Sequence, residues 1–146
     1  MSFDVRSNQE VGVTKLKEPE KQFLEDNPYV GIVTTLREDG SPHSTVVWVD
    51  VEDGKPSFNT ATGRAKPANL QRDPRASLLV VDPHDAYKWV AVSGHAQVTE
   101  EGADDQIDKL AKKYIGKEKY PWHKPTEQRL KVLIEPEKVD TSGFDG

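Results

Sequence analysis

Two Asp-Gly pairs, Asp39-Gly40 and Asp53-Gly54, constrain this chain most: each interrupts a stretch rich in valine, isoleucine and threonine. Asp-Gly supplies the positive φ of a tight hairpin turn, so the runs on either side read as antiparallel neighbours. The first three strands are therefore expected at Val30–Leu36, His43–Val51 and Pro56–Thr60. In the second run Thr45, Val47, Val49 and Val51 alternate with Ser44, Val46, Trp48 and Asp50. Both sets carry apolar groups, which predicts cover on both faces of the strand.

Three helical segments flank these strands. Glu18-Pro19-Glu20 places proline and acids in a first turn, Phe23 and Leu24 form the buried side, and Asn27-Pro28 stops the helix. Thr62 reads as the N-cap of a short helix over Arg64–Gln71. Strands follow at Arg75–Asp82 and Tyr87–Thr99 across a loop at 83–86, and Gly94 inside the second predicts a bulge. Within Glu101–Gly116, Ile107, Leu110, Ala111, Tyr114 and Ile115 make one apolar stripe. A basic, aromatic loop, Lys117–Lys124, precedes a last strand from Gln128 to Ile134 that extends towards Val139. Strict β-α-β alternation is missing. The pattern predicts a mainly β fold with flanking helices, a small antiparallel barrel. Residues 1–17 read as an N-terminal arm, 18–139 as the domain and 140–146 as a fraying tail.

Composition removes several chemistries. With no cysteine among 146 residues there is no disulfide, thiolate metal site or cysteine nucleophile. A formal net charge of -5 disfavours a free-standing nucleic-acid module. No apolar run approaches the roughly 20 residues of a bilayer-spanning helix, and the N-terminus lacks a signal-peptide core, so the expectation is a cytoplasmic protein with neither nucleic acid nor membrane as partner. Hydrophobic residues make up only 34%, which fits a thin core completed by oligomerisation. His43, His84, His95 and His123 are scattered without metal-ligand spacing, so no metal site is expected. No dinucleotide fingerprint, Walker loop, nucleophile elbow or zinc-protease motif is present.

One segment stands out. From Phe58 to Leu70 the chain runs from a strand end through a glycine turn into a helix start, and it crowds Thr60, Thr62, Arg64 and Lys66 together. Free amides, a positive helix end, a guanidinium fork and an ammonium suit a phosphate. Trp48, Tyr87, Trp89, Tyr120 and Trp122 offer flat apolar surface for a ring, or simply fill a core or a dimer seam.

The motif F-N-T-A-T-G-R-A-K-P-A-N-L, followed by R-D-P-R-A-S-L-L-V, resembles the flavin/deazaflavin oxidoreductases with a pyridoxamine 5′-phosphate oxidase-like split β-barrel. G-I-V-T-T-L-R-E-D-G-S-P-H-S-T-V-V-W-V is similar to that family's opening hairpin, and Y-K-W-V-A-V-S-G-H-A-Q-V-T to its long central strand. R-A-K-x-x-N-L is most similar to the branch that uses the deazaflavin coenzyme F420; the FMN branch carries more basic residues here and on the strand before, where Ser44–Val49 has none. The resemblance implies an F420-dependent reductase of a small unsaturated or quinone-like substrate, with FMN as the alternative cofactor. It implies a homodimer with the cofactor at the interface. Thr60, Arg64 and Lys66 would hold the phosphate, with Asn59 beside them. His43, Ser44, Thr45, Val46 and Val47 would run along the ring. Tyr87, Lys88 and Trp89 would come from the second subunit, with Trp122 or His123 as further candidates, and Lys88 would meet the coenzyme's acidic tail. Asn69 would brace the turn. No catalytic side chain is assigned; His43, His123, a tyrosine or solvent remain open as proton donors. A non-catalytic cofactor carrier and a haem-handling barrel are the competing readings.

Overall fold

A computed structural model describes residues 15–144 of the chain. The elements run α1 (Glu18–Asp26), β1 (Gly31–Leu36), β2 (Pro42–Val47), β3 (Asp50–Glu52), β4 (Lys55–Ala61), α2 (Ala65–Arg72), β5 (Arg75–Asp82), β6 (Asp85–Thr99), α3 (Ala103–Ile115) and β7 (Arg129–Ser142). The strands form one sheet in the order β2-β1-β5-β6-β7-β4-β3, with every neighbouring pair antiparallel. Asp53 at φ 53 and Gly54 at φ 73 make the β3–β4 turn with two left-handed residues, as its Asp-Gly pair demands.

Chain connectivity turns this sheet into a barrel. β2 and β3 stand at opposite ends of the order, yet only Trp48 and Val49 separate them. Such a link spans at most about 11 Å, so the sheet must curl until its edges meet. No ladder crosses the seam among the described residues, because β2 pairs with β1 alone and β4 with β3 and β7. The barrel is therefore split there.

Val33, Phe58, Leu78, Val90, Val92, Val132 and Ile134 fill the interior, each on the inward beat of its strand. α1 covers one end with Phe23 and Leu24, and Phe23 meets Tyr29 and Phe144 edge-on. β6 and β7 bend together where their register shifts at Ser93/Gly94. A side chain at Gly94 would overlap the Glu135 carbonyl oxygen, so the expected bulge is a place of close backbone approach.

The structure corrects several expectations. The run 43–51 is not one strand. It breaks at Trp48-Val49, where Tyr114 Oη accepts the Val49 N–H at 2.9 Å and Lys113 Nζ donates to the Val49 carbonyl at 2.8 Å. α3 thus satisfies backbone groups that a ladder would otherwise take. Thr62 is not the N-cap of α2; Arg64 holds that position, and Thr62 Oγ1 accepts the Gln128 N–H. The loop at 83–86 shrinks to Pro83-His84, since Asp82 pairs with Asp85. The tail does not fray from 140: β7 continues to Ser142, which pairs with Trp89. Most of the arm expected over residues 1–17 lies outside the described residues; of the rest, Leu16 is buried and Lys17 caps α1.

Candidate functional site

The split has chemistry on both sides. Among the described residues β2 carries a ladder on one edge only, and the other edge of His43–Val47 faces the seam. Lys66, in the first turn of α2, reaches Thr45 Oγ1 on β2 at 3.0 Å. Its ammonium is half-buried, and burial, aided by the charge of Arg64, lowers its pKa. Among the described residues no carboxylate pairs with it.

A cleft of about 200 Å³ opens at this point. Val46, Val47 and Trp48, Ile107 and Leu110 of α3, and Tyr120 and Trp122 line it. Trp48 stacks on Tyr114 with centroids 5.4 Å apart, and Tyr120 meets Trp48 and Trp122 edge-on. The loop carrying Tyr120 is tied to α3 by its N–H, which donates to Asp108 Oδ1 at 2.8 Å. That bond holds the Asp108 carboxyl below its ordinary pKa.

Three cations line the cleft: Arg64, Lys66 and Arg129. Arg64 pairs with Glu127 through Nε and Nη2, both at 3.3 Å. Arg129, the first residue of β7, is only 5% exposed. Its Nε donates to Asn59 Oδ1 at 2.8 Å and its guanidinium lies 5.1 Å from the Tyr120 ring centre. Among the described residues its Nη1 has no hydrogen-bond partner, and Glu127 Oε1 stands 3.9 Å away as an ion pair. Burial lowers the pKa of Arg129, with Tyr120 and Glu127 acting against that shift and Arg64 adding to it. A buried donor left unmade is costly. α2 contributes the positive end of its dipole, and Arg64 at its N-cap makes no side-chain cap, which leaves first-turn amides open.

Of the residues expected from sequence, Val46, Val47, Asn59, Arg64 and Lys66 meet around this cleft, and Thr45 joins through Lys66. Asn59 is occupied: its Nδ2 donates to the Ala103 carbonyl and to Gln106 Oε1. Thr60 points the other way, pairs with Leu130 and is buried, its hydroxyl unpartnered. His43 sits opposite Thr35 with Nδ1 buried and unpartnered, whereas Ser44 bonds Thr34 on the outer face. Tyr87, Lys88 and Trp89 lie outside this chain's cleft, at the start of β6; the Lys88 ammonium rests over the rings of Phe144 and Phe23, at 5.1 and 5.8 Å. Asn69 braces α2 by donating to Thr35 Oγ1 and accepting from Arg72. Sequence reasoning missed Arg129, and it left Trp48 and Tyr120 open between ring surface and core; the structure puts both in the lining of the cleft. The available signal was Arg129 with Lys131, two cations on alternate positions of the otherwise apolar stretch 129–134.

Fold and cleft together define a split antiparallel barrel with cations gathered beside its seam. The chain belongs to the pyridoxamine 5′-phosphate oxidase family, whose sequence model matches residues 16–142. Among solved structures, an F420 reductase superposes with a TM-score of 0.70 at 22% identity, over 82% of this chain and 94% of its own. A conserved hypothetical protein from Mycobacterium tuberculosis gives 0.68 at 23%, over 93% and 89%. The heme storage protein from Vibrio cholerae gives 0.63 at 15%, over 87% and 95%. These likenesses show a shared fold. Among the described residues no helix is long and apolar enough to cross a membrane, and no three of His, Asp and Glu gather as a metal site.

Proposed function

We propose that this protein is an oxidoreductase that binds coenzyme F420 and passes a hydride between it and a small unsaturated or quinone-like substrate. The observation that carries this reading is the pair of desolvated cations, Lys66 and Arg129, facing a cleft walled by Trp48, Tyr120 and Trp122. Bound F420 supplies the hydride chemistry. Arg64, Lys66 and the first-turn amides of α2 bind its phosphate, and the open edge of His43–Val47 lies along the ring. The aromatic wall excludes water and aligns the substrate.

A cleft of about 200 Å³ is small against the roughly 300–1,000 Å³ of most ligand sites. A second copy completes it. Ile32 lies in register with Val46 and Leu79 on the outer face of β2-β1-β5, and these residues are 38%, 60% and 39% exposed. Val46 also lines the cleft, so this apolar row abuts the site. An isologous dimer across it would bring Tyr87, Lys88 and Trp89 of the second copy to the cofactor.

FMN is a second reading with its own support. Arg64, Lys66 and Arg129 against the carboxylate of Glu127 leave two positive charges, which match a phosphate monoester as well as they match the phosphodiester and neighbouring carboxylates of F420. Fluorescence titration with both cofactors decides between them. Micromolar binding of F420, weakened by Arg64→Ala and followed by oxidation of the reduced coenzyme with an activated alkene or quinone, supports the leading reading. Binding of FMN alone replaces it. Tight F420 binding without turnover leaves a carrier.

A further inference from the structure

We infer that Arg129 is a third ligand of the bound phosphate, and that Asn59 is its positioning residue rather than a contact of the cofactor. The inference rests on the reading that the cleft takes a cofactor phosphate, but not on which ring the cofactor carries. Asn59 has no free N–H to offer a phosphate. Its Nδ2 is shared between the Ala103 carbonyl at 2.8 Å and Gln106 Oε1 at 3.0 Å, and its Oδ1 accepts Arg129 Nε at 2.8 Å. The amide thereby fixes one edge of the guanidinium, whose carbon lies 5.1 Å from the Tyr120 ring centre. Among the described residues Arg129 Nη1 is buried and makes no hydrogen bond, with Glu127 Oε1 3.9 Å away, and Arg129 itself lines the cleft. A planar fork held on one side and open on the other suits a phosphate oxygen better than a water or a carbonyl, because the charge-assisted bond offsets the burial of the guanidinium.

Arg129 differs from Arg64 in burial: it is 5% exposed, whereas the Arg64 side chain is 41% exposed and pairs with Glu127 at 3.3 Å. Together with Arg64 and Lys66 it would separate phosphorylated cofactors from the same rings without phosphate.

The test combines two measurements. In ¹⁵N-labelled wild-type protein, the Arg129 Nε–Hε resonance is followed while inorganic phosphate replaces chloride at constant ionic strength. Separately, affinities are measured for two pairs of probes: FMN with riboflavin, and F420 with its phosphate-free deazaflavin riboside. We expect a saturable shift of the Arg129 resonance. Arg129→Gln should weaken the phosphorylated member of each binding pair roughly ten- to hundredfold and leave the other member unchanged. Arg129→Lys, which keeps charge but loses the fork, should fall between. Asn59→Ala releases the edge of the guanidinium without adding charge; by itself it should lower phosphate affinity, and it should add nothing in the Arg129→Gln background. A resonance that phosphate does not move overturns the inference whatever else binds, as does a loss in Arg129→Gln shared equally by both members of a pair. If F420 fails to bind while FMN shows the Arg129-dependent loss, the hydride carrier is wrong and Arg129 keeps its role.

Discussion

Lys66 holds a position that costs the free protein stability. Its ammonium is half-buried beside Arg64 and bonds one hydroxyl, Thr45 Oγ1. Burying charge without a counter-ion is unfavourable until an anion arrives. Lys66→Met should therefore weaken cofactor binding roughly ten- to hundredfold and leave thermal stability of the free protein unchanged or raised by about 1 kcal/mol. Calorimetric unfolding with and without cofactor checks both signs. A different constraint acts at Gly94, where any Cβ would meet the Glu135 backbone. Gly94→Ala should destabilise by about 3 kcal/mol, read from urea midpoints, because the β6–β7 bulge cannot keep its geometry.

At the scale of elements, α3 is fastened to the barrel by polar groups. Gln106 Nε2 donates to Ser57 Oγ at 2.7 Å and to Asp50 Oδ2 at 3.3 Å, and Lys109 pairs with Asp50 at 2.9 Å. Lys113 donates to the carbonyls of Leu24 and Val49, and Tyr114 donates to the Tyr29 carbonyl. Burial lowers Lys113 to about 8 and raises Tyr114 to about 12. Between about 8 and the ordinary lysine value of 10.5 the unfolded chain binds the Lys113 proton more readily than the fold does. Stability from this group therefore rises with pH across that window, by at most about 3 kcal/mol. Tyr114 acts oppositely: its contribution is present below pH 10 and lost as pH rises to about 12. Urea unfolding from pH 7 to 11 should show the rise vanish in Lys113→Met, and the later fall shrink in Tyr114→Phe.

These anchors also explain what sequence alone showed at this scale. Strand alternation, the Asp-Gly turns, the α3 stripe and the Gly94 bulge depend on neighbours in the chain, and all were legible. The break at Trp48-Val49 depends on Tyr114 and Lys113, more than 60 residues away, and no local signal announces it. The extension of β7 to Ser142 depends on pairing with Trp89, so a polar segment read as a tail became strand. At the site, Arg64 and Lys66 were readable because they share one turn. Arg129 was hidden because its role comes from the β4–β7 register that sets it beside Asn59. Thr60 was misleading for the same reason, since strand parity turns its hydroxyl away from Asn59.

For the whole molecule, the cleft and the apolar row Val46–Ile32–Leu79 make one surface. If the proposed dimer forms across this surface, a charge at its centre should separate the two copies and open the cofactor site. Ile32→Glu is expected to halve the mass seen by light scattering and to lower F420 affinity, while circular dichroism stays unchanged because Ile32 faces outward. A variant that remains dimeric would place the interface elsewhere.

A crystal structure of the protein grown with F420 tests the central claim most directly. The account predicts the coenzyme phosphate within hydrogen-bond distance of Arg64 and Lys66, with the ring lying along His43–Val47 between two copies. Coenzyme bound at another surface, or a cleft closed by a second copy that leaves no room for the phosphate, would contradict it.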